Sequence, residues 1–264
     1  MSIDPFLAEL SRGAEAAWLA SHDRHPDLLI EVLPEIGSTN TELMDRARRG
    51  RRDKTLLIAA HQTAGRGRLG RQWQDQRGQS LMFSLGLPWP ALPAAGLSLV
   101  VGVSLAPALS SAVRLKWPND LWWNDQGQWK KLGGILVEVT QMGGEAYVVI
   151  GAGINLLPPE ITVGHNKALP ATSLLEIGAP ATPAELLERI VPSLLDDVIA
   201  FLADGFSSFT ERFMRLDALS GLPVSWADNR SGVAAGVQSD GALLVQVDDK
   251  IEAIYSQEVS VRPC

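Results

Sequence analysis

A short apolar run, Thr55 to Ala60 (TLLIAA), ends on a stretch with little side-chain bulk and much positive charge, HQTAGRGRLGRQW at His61 to Trp73. Five apolar residues in a row after Thr55, bounded by turn-forming residues, suit a strand buried on both faces. The glycine–arginine stretch cannot extend that strand, because glycine has no side chain to pack and arginine resists burial. The fold must therefore open the end of a buried strand onto a glycine–arginine loop. Glycines let a backbone approach a ligand closely, and arginines offer forked donors to phosphate or carboxylate oxygens. On composition alone the segment is either a cradle for a polyphosphate or a solvated glycine-rich hairpin. It is not a Walker A loop, which needs GxxxxGK and then Ser or Thr, nor a dinucleotide fingerprint, whose third glycine opens a helix.

Around this junction strands and helices mix. Phe6 to Ala20 reads as a helix, followed by a polar connector through His22, Asp23, Arg24 and Pro26. Thr39 with Glu42 forms a capping-box pattern for a second helix that Gly50 stops. Ser80 to Leu87, Val113 to Trp117, Gly134 to Val139 and Tyr147 to Ile150 read as strands, the last two joined by a Gly143-Gly144 turn, and Leu97 to Ser111 as an apolar helix. Pro183 starts a long amphipathic helix towards Gly205, with a kink expected at Pro192, and another helix runs to about Ser220. From Leu222 the texture changes to short runs (PVSWA, GVAAGV, ALLVQV, IEAIYS, VSVRP) separated by Asp, Asn and Gly turns, the pattern of a small β-barrel-like module. The reading is three parts: a helical extension over 1–34, a larger unit over 35–220 and a small all-β unit over 221–264.

Bulk properties exclude some functions. A net charge of -7 leaves no global field for nucleic acid or anionic lipid, so a polyanion must meet a local positive site. The single cysteine, Cys264, rules out an intrachain disulfide and a cysteine-rich zinc cluster. His61 and His165 lack partners at metal-ligand spacing, and no structural metal is expected. The N-terminus lacks the pattern of a signal peptide, and the apolar stretch around Leu97 to Leu109 is too short and too interrupted to span a bilayer, so a cytoplasmic protein away from membranes is expected. The basic run Arg46 to Lys54 falls at a helix C-terminus, where cations complement the dipole, and reads as structural rather than as a nucleic-acid patch.

Three further motifs lie at strand ends. KWPND (Lys116 to Asp120) places a lysine, a ring, an amide and a carboxylate on a proline-fixed turn, though alone it reads as an ordinary turn with Trp117 in the core. KLGGILVEV (Lys131 to Val139) sets Lys131 before a Gly-Gly strand entry, where close backbone contact with a ligand is possible; the plainer reading is a surface lysine beside Lys130. GAGINL (Gly151 to Leu156) closes a strand with small residues. No Ser/His/Asp arrangement and no paired-carboxylate spacing stands out.

In order, STN (Ser38 to Asn40), QTAGRGRLGRQW (Gln62 to Trp73), KWPNDL, KLGGIL and GAGIN resemble the signature blocks of biotin protein ligases, and TSLLE (Thr172 to Glu176) and the closing strands resemble the family's later segments. The resemblance implies an α+β fold. A mixed β-sheet flanked by helices, of the class II aminoacyl-tRNA synthetase/biotin synthetase type, would be followed by a small SH3-like β-barrel. It implies a two-step reaction: biotin and ATP with Mg2+ give biotinyl-5′-adenylate and pyrophosphate, and a lysine of a biotin carboxyl carrier domain then attacks the mixed anhydride.

Carried over by position, Lys131 and Arg68 are the implied catalytic residues. Biotin would meet Ser38, Thr39, Asn40, Gln62, Gly65, Arg66, Arg68, Lys131, Gly134, Leu136, Gly151 and Gly153. The nucleotide or adenylate would meet Gly67, Arg71, Trp73, Lys116, Asn119 and Asn155. Gly65 to Arg68 would form a loop that folds over the adenylate and is mobile without ligand. Some members carry an N-terminal winged helix-turn-helix; the 34 acidic-leaning residues ahead of the matched blocks are too few for it, so no DNA binding is expected. A monomer and a homodimer are both compatible with the sequence. Lipoate or octanoate ligases share the related fold, and a non-catalytic biotin or nucleotide sensor is the reading from another class.

Overall fold

The computed structural model describes residues 4–74, 76–90, 93–142, 144–159, 170–226, 230–255 and 262–263. Gly143 of the expected turn, His165, Cys264 and residues 259–261 of the expected last strand lie outside them. Helix α1 (Pro5–Ser21) leads into strand β1 (Leu29–Leu33), α2 (Thr39–Arg48), β2 (Thr55–Ala59), β3 (Ser80–Trp89), α3 (Leu97–Leu109), β4 (Arg114–Lys116), β5 (Asp120–Asp125), β6 (Gln128–Met142) and β7 (Glu145–Asn155). Then come α4 (Pro183–Asp204), α5 (Thr210–Met214), β8 (Pro223–Trp226), β9 (Arg230–Val237), β10 (Leu243–Val247), β11 (Lys250–Ile254) and β12 (Arg262–Pro263).

The first seven strands form one mixed sheet in the order β1-β2-β3-β7-β6-β5-β4, with β1 and β2 parallel and the remaining pairs antiparallel. Strand alternation sorts its two faces. Leu57, Tyr147 and Val149 turn towards α2 and pack with Leu43, Met44 and Ala47. Their neighbours Leu56, Ile58, Val148 and Ile150 turn the other way, into the main core with α1, α3 and α4. Every residue of β2 is buried, as a run apolar on both faces requires. Each such leucine or isoleucine contributes about 1.5–3 kcal/mol by leaving water. The five later strands form an antiparallel sheet in the order β11-β10-β9-β8-β12. It docks on the large sheet at the KWPND turn, where buried Trp117 donates from Nε1 to Gly241 O at 3.0 Å.

Several expectations need correction. The connector after α1 contains β1, a sheet-edge strand that its mixed composition, LIEVL, conceals. Strand β5 is likewise hidden in the sequence, because the polar KWPND turn runs straight into it. The N-cap of α2 is Ser38, whose hydroxyl accepts from Thr41 N, so Thr39 and Glu42 do not form the capping box. A capping box does occur at α4, between Thr182 and Glu185. Helix α4 continues through Pro192. The helix expected to reach Ser220 stops at Met214, because the next residues pair with β4: Leu115 N donates to Leu216 O, and Ala218 N to Leu115 O. Covering an otherwise open sheet edge outweighs helix extension there.

The basic run behaves as expected. Arg46 pairs with Glu31 and Glu42, Arg48 with Asp45, Arg52 with Glu145 and Lys54 with Asp27.

Candidate functional site

The strand β2 ends where the glycine–arginine segment begins, and that segment folds back on itself. Trp73 N donates to Gly65 O, Gly67 N to Arg71 O, and Arg66 bridges Gln72 in antiparallel fashion. The tip is a short 3-10 turn, Arg68–Gly70, with Leu69 and Gly70 both at positive φ (56° and 70°). Glycine adopts that conformation freely, whereas a leucine there is uncommon. The segment is a hairpin, and it holds an array of cations over a cavity.

That cavity has a volume of about 160 Å³ and lies between the hairpin, the N-terminus of α2 and the ends of β5, β6 and β7. Of the expected site residues, Ser38, Thr39, Asn40, Gln62, Arg66, Gly67, Arg68, Arg71, Trp73, Lys116, Asn119, Lys131, Gly134, Leu136, Gly151 and Gly153 line it. Gly65 and Asn155 do not. Gly65 instead makes room for Trp73, whose carbonyl would sit 2.8 Å from an added Cβ. Asn155 is buried at the end of β7 and donates from Nδ2 to Thr172 O. Leu69, Gln72, Phe83, Pro118, Asp120, Ile135 and Ala152 also line the cavity. Phe83 sits inside a strand with no sequence signal for the site; Asp120 belongs to KWPND and Ala152 to GAGINL, and both were legible through those motifs.

At one end the cavity is neutral and polar. Thr39 N donates to Gln62 Oε1 at 2.7 Å, and Thr39 Oγ1 lies 3.1 Å from the same oxygen. A backbone N–H can only donate, which fixes the Gln62 amide with its oxygen towards Thr39 and its nitrogen towards Met82 Sδ, 3.1 Å away. The other end is cationic. Lys131 Nζ donates to Asp120 Oδ1 at 2.7 Å, and Arg68 Nη1 to Asn119 Oδ1 at 3.2 Å. Asn119 is held in turn through Nδ2 to Ile135 O, and its backbone carbonyl accepts from Ile135 N.

Arg66, Arg68, Arg71, Lys116 and Lys131 give five cations to one carboxylate, Asp120, among the described residues lining the cavity. A chain of net charge -7 thus concentrates positive charge in one place. Burial, first, and the neighbouring Lys131, Arg68 and Arg71 lower the Lys116 ammonium to a pKa of about 8, against the partial support of Asp120. Burial also lowers the Arg68 guanidinium, Asp120 acting in the opposite sense. Such an array is preorganised for an anion that spreads charge over several oxygens.

Glycines on β6 and β7 shape the walls. A Cβ on Gly153 would sit 2.7 Å from the Trp73 ring, and one on Gly134 3.4 Å from Lys131 Nζ. The ring therefore packs directly against β7 at Gly153, and the Lys131 side chain passes close over Gly134.

Residues 32–155 match the model of the Biotin/lipoate A/B protein ligase family. The bifunctional ligase/repressor BirA of Salmonella typhimurium is 35% identical over 244 residues, covering 88% of this chain and 74% of that protein. The biotin–[acetyl-CoA-carboxylase] ligase of Mycobacterium tuberculosis is 29% identical, covering 87% and 88%. Among solved structures, the biotin protein ligase of Aquifex aeolicus in complex with biotin and ATP superposes with a TM-score of 0.71 at 28% identity, covering 89% of this chain and 99% of that one. With signature blocks gathered around one cavity and such identity over nearly three quarters of a relative's length, the chain belongs to the biotin protein ligases of the biotin/lipoate family.

Proposed function

We propose that this chain activates biotin with ATP to biotinyl-5′-adenylate and transfers the biotinyl group to a lysine of a biotin carboxyl carrier domain. The observation that carries the reading is the cavity's two-ended chemistry, a neutral polar end joined to a cluster of five cations. Thr39, Gln62 and Ser38 suit a ureido group, with Phe83, Ile135, Leu136 and Ala152 around the apolar part of the ligand. The carboxylate then points towards Lys131 and Arg68.

In the first step a biotin carboxylate oxygen attacks the α-phosphorus of ATP, a P–O bond forms, and the bond to pyrophosphate breaks. Negative charge shifts onto the α-phosphate oxygens and the leaving group. Cations already in place stabilise it without reorganisation. Lys131, held by Asp120, would bridge the carboxylate and the α-phosphate; Arg68, Arg71 and Lys116 would face the phosphates. Mg2+ would arrive with the ATP. Trp73 and Asn119 would meet the nucleotide, with Asn155 supporting from behind β7. The hairpin over the cavity would limit hydrolysis of the mixed anhydride.

We further assign residues 35–220 to this chemistry and the small antiparallel sheet over 221–264 to an SH3-like barrel, with 1–34 as an N-terminal extension. Related family members act on lipoate, so the test is ATP–pyrophosphate exchange with each acid. Exchange stimulated by biotin and not by lipoate, with a mass increase on a purified carrier domain, is expected. Stimulation by lipoate alone would overturn the reading.

A further inference from the structure

The side chain of Asn40 lies in the cavity wall, yet its hydrogen-bonding capacity is spent within the protein. Nδ2 donates to Glu138 Oε2 at 3.0 Å and to Leu136 O at 3.3 Å. Both partners only accept, so the amide orientation is fixed and Oδ1 faces Ser84 Oγ, 2.6 Å away. The amide reaches these partners by crossing β7 at Gly151, where an added Cβ would collide with Asn40 Oδ1. Ser84 is fully buried on β3 and has one proton, which goes to Asn40 because an amide oxygen cannot return one. Ser84 Oγ also lies 2.7 Å from Thr39 Oγ1, whose backbone N–H holds Gln62. On the other side, Glu138 Oε1 pairs with Arg66 Nη2 at 3.0 Å. Glu138 is largely buried, with a side-chain exposure of 20%.

One unbroken polar chain therefore runs Gln62–Thr39–Ser84–Asn40–Glu138–Arg66. It joins the neutral floor of the cavity to the first arginine of the covering hairpin, and it draws on α2, β3, β6 and the segment that follows β2. We infer that Ser84 and Glu138 are positioning residues that couple binding at the floor to placement of the hairpin through Arg66. Neither needs to touch the ligand. Ser84 holds the Asn40 amide oxygen in place, and that amide, with Arg66, sets where the Glu138 carboxylate sits. A ligand that tightens Thr39 and Gln62 would tighten the hairpin through the same bonds, since hydrogen bonds linked in one chain strengthen one another.

The inference rests on biotin being the ligand of the floor, so the experiment separates the two claims. Biotin is titrated by calorimetry into the full-length wild-type chain, Ser84→Ala, Glu138→Ala and the double variant, with thermal midpoints as a folding check. Each single change is expected to weaken biotin about tenfold, and the double change about tenfold to twentyfold, because either break disconnects the same chain. A hundredfold loss in the double variant, the product of independent effects, would overturn the inference, as would single variants that bind like the wild type. Glu138→Gln supplies a readout that general destabilisation would not move. It keeps an acceptor for Asn40 and removes the charge facing Arg66, so biotin affinity should stay within about threefold while carrier-free release of AMP from biotin and ATP rises about tenfold. A Glu138→Gln variant that loses biotin affinity as Glu138→Ala does, with AMP release unchanged, would reduce Glu138 to a purely structural role and overturn the coupling. A wild-type chain that binds no biotin but binds lipoate would remove the proposed function, and this inference with it.

Discussion

Lys131 Nζ and Asp120 Oδ1 meet at 2.7 Å across neighbouring strands, β6 and β5, with the acid the more buried partner. The pair fixes a lysine over the cavity that would otherwise sweep several rotamers, and it leaves two of the ammonium protons for a ligand. Lys131→Ala should lower biotin-dependent ATP–pyrophosphate exchange about a hundredfold to a thousandfold, the loss expected for one preorganised donor to developing charge. Asp120→Asn should lose less, about tenfold, since the lysine remains but is free to wander. Pre-steady-state adenylate formation measures both; equal losses would mean that Asp120 does more than hold Lys131.

Lys116 gives a pH signature. Its pKa of about 8, set chiefly by burial, makes it a cation below that pH and a neutral amine above it. If it faces the phosphates, kcat/KM for ATP falls as pH rises through about 8. Lys116→Met should remove that inflection and run flat near the level the wild type reaches at high pH. A wild-type profile without an inflection there would remove Lys116 from the phosphate-facing set.

Gly153 keeps Trp73 against β7. Gly153→Ala should displace the ring, which an added Cβ would approach to 2.7 Å. The expected result is a changed tryptophan emission spectrum and ATP affinity lower by about tenfold, with far-ultraviolet circular dichroism unchanged. Unaltered ATP affinity would show that the ring is not a wall of the nucleotide site.

Asp217 makes a prediction about stability. Burial pushes its carboxyl up to about 6, and the hydrogen bond from Leu219 N only partly opposes this. Among the described residues its Oδ2 is buried without a partner. Because the folded pKa lies above the unfolded one, its contribution is fully present below about pH 4 and is lost as pH rises through 6. The difference of about two units corresponds to about 3 kcal/mol. Asp217→Asn keeps the acceptor for Leu219 and removes the charge. It should raise the thermal midpoint at pH 7 by about 5 °C and flatten the decline between pH 4 and 6. A variant less stable than the wild type at pH 7 would contradict this.

Much of the site was legible because its residues come in short local blocks. The glycine–arginine run, KWPND and the Gly-Gly entry to β6 each declare themselves within five to nine residues, and all three reach the cavity. Continuous apolar runs likewise located β2, β3 and α3, and periodicity located α4, whose apolar face repeats at the helical spacing. Strands of mixed composition escaped: β1 at the sheet edge and β5 between β6 and β4 mix polar and apolar residues, so neither shows as an apolar run.

Sequence alone determined which chemical groups this chain brings to its ligand, since charge and backbone freedom are properties of the residues themselves. Tertiary structure decided how those groups are shared out. Asn40 lies in a signature block, yet its amide is consumed by Ser84, Glu138 and Leu136; Gly151 and Gly153 serve Asn40 and Trp73 rather than open space; Asn155 points away to Thr172. These are contacts between residues tens of positions apart, and strand register, not local propensity, brings them within hydrogen-bonding distance.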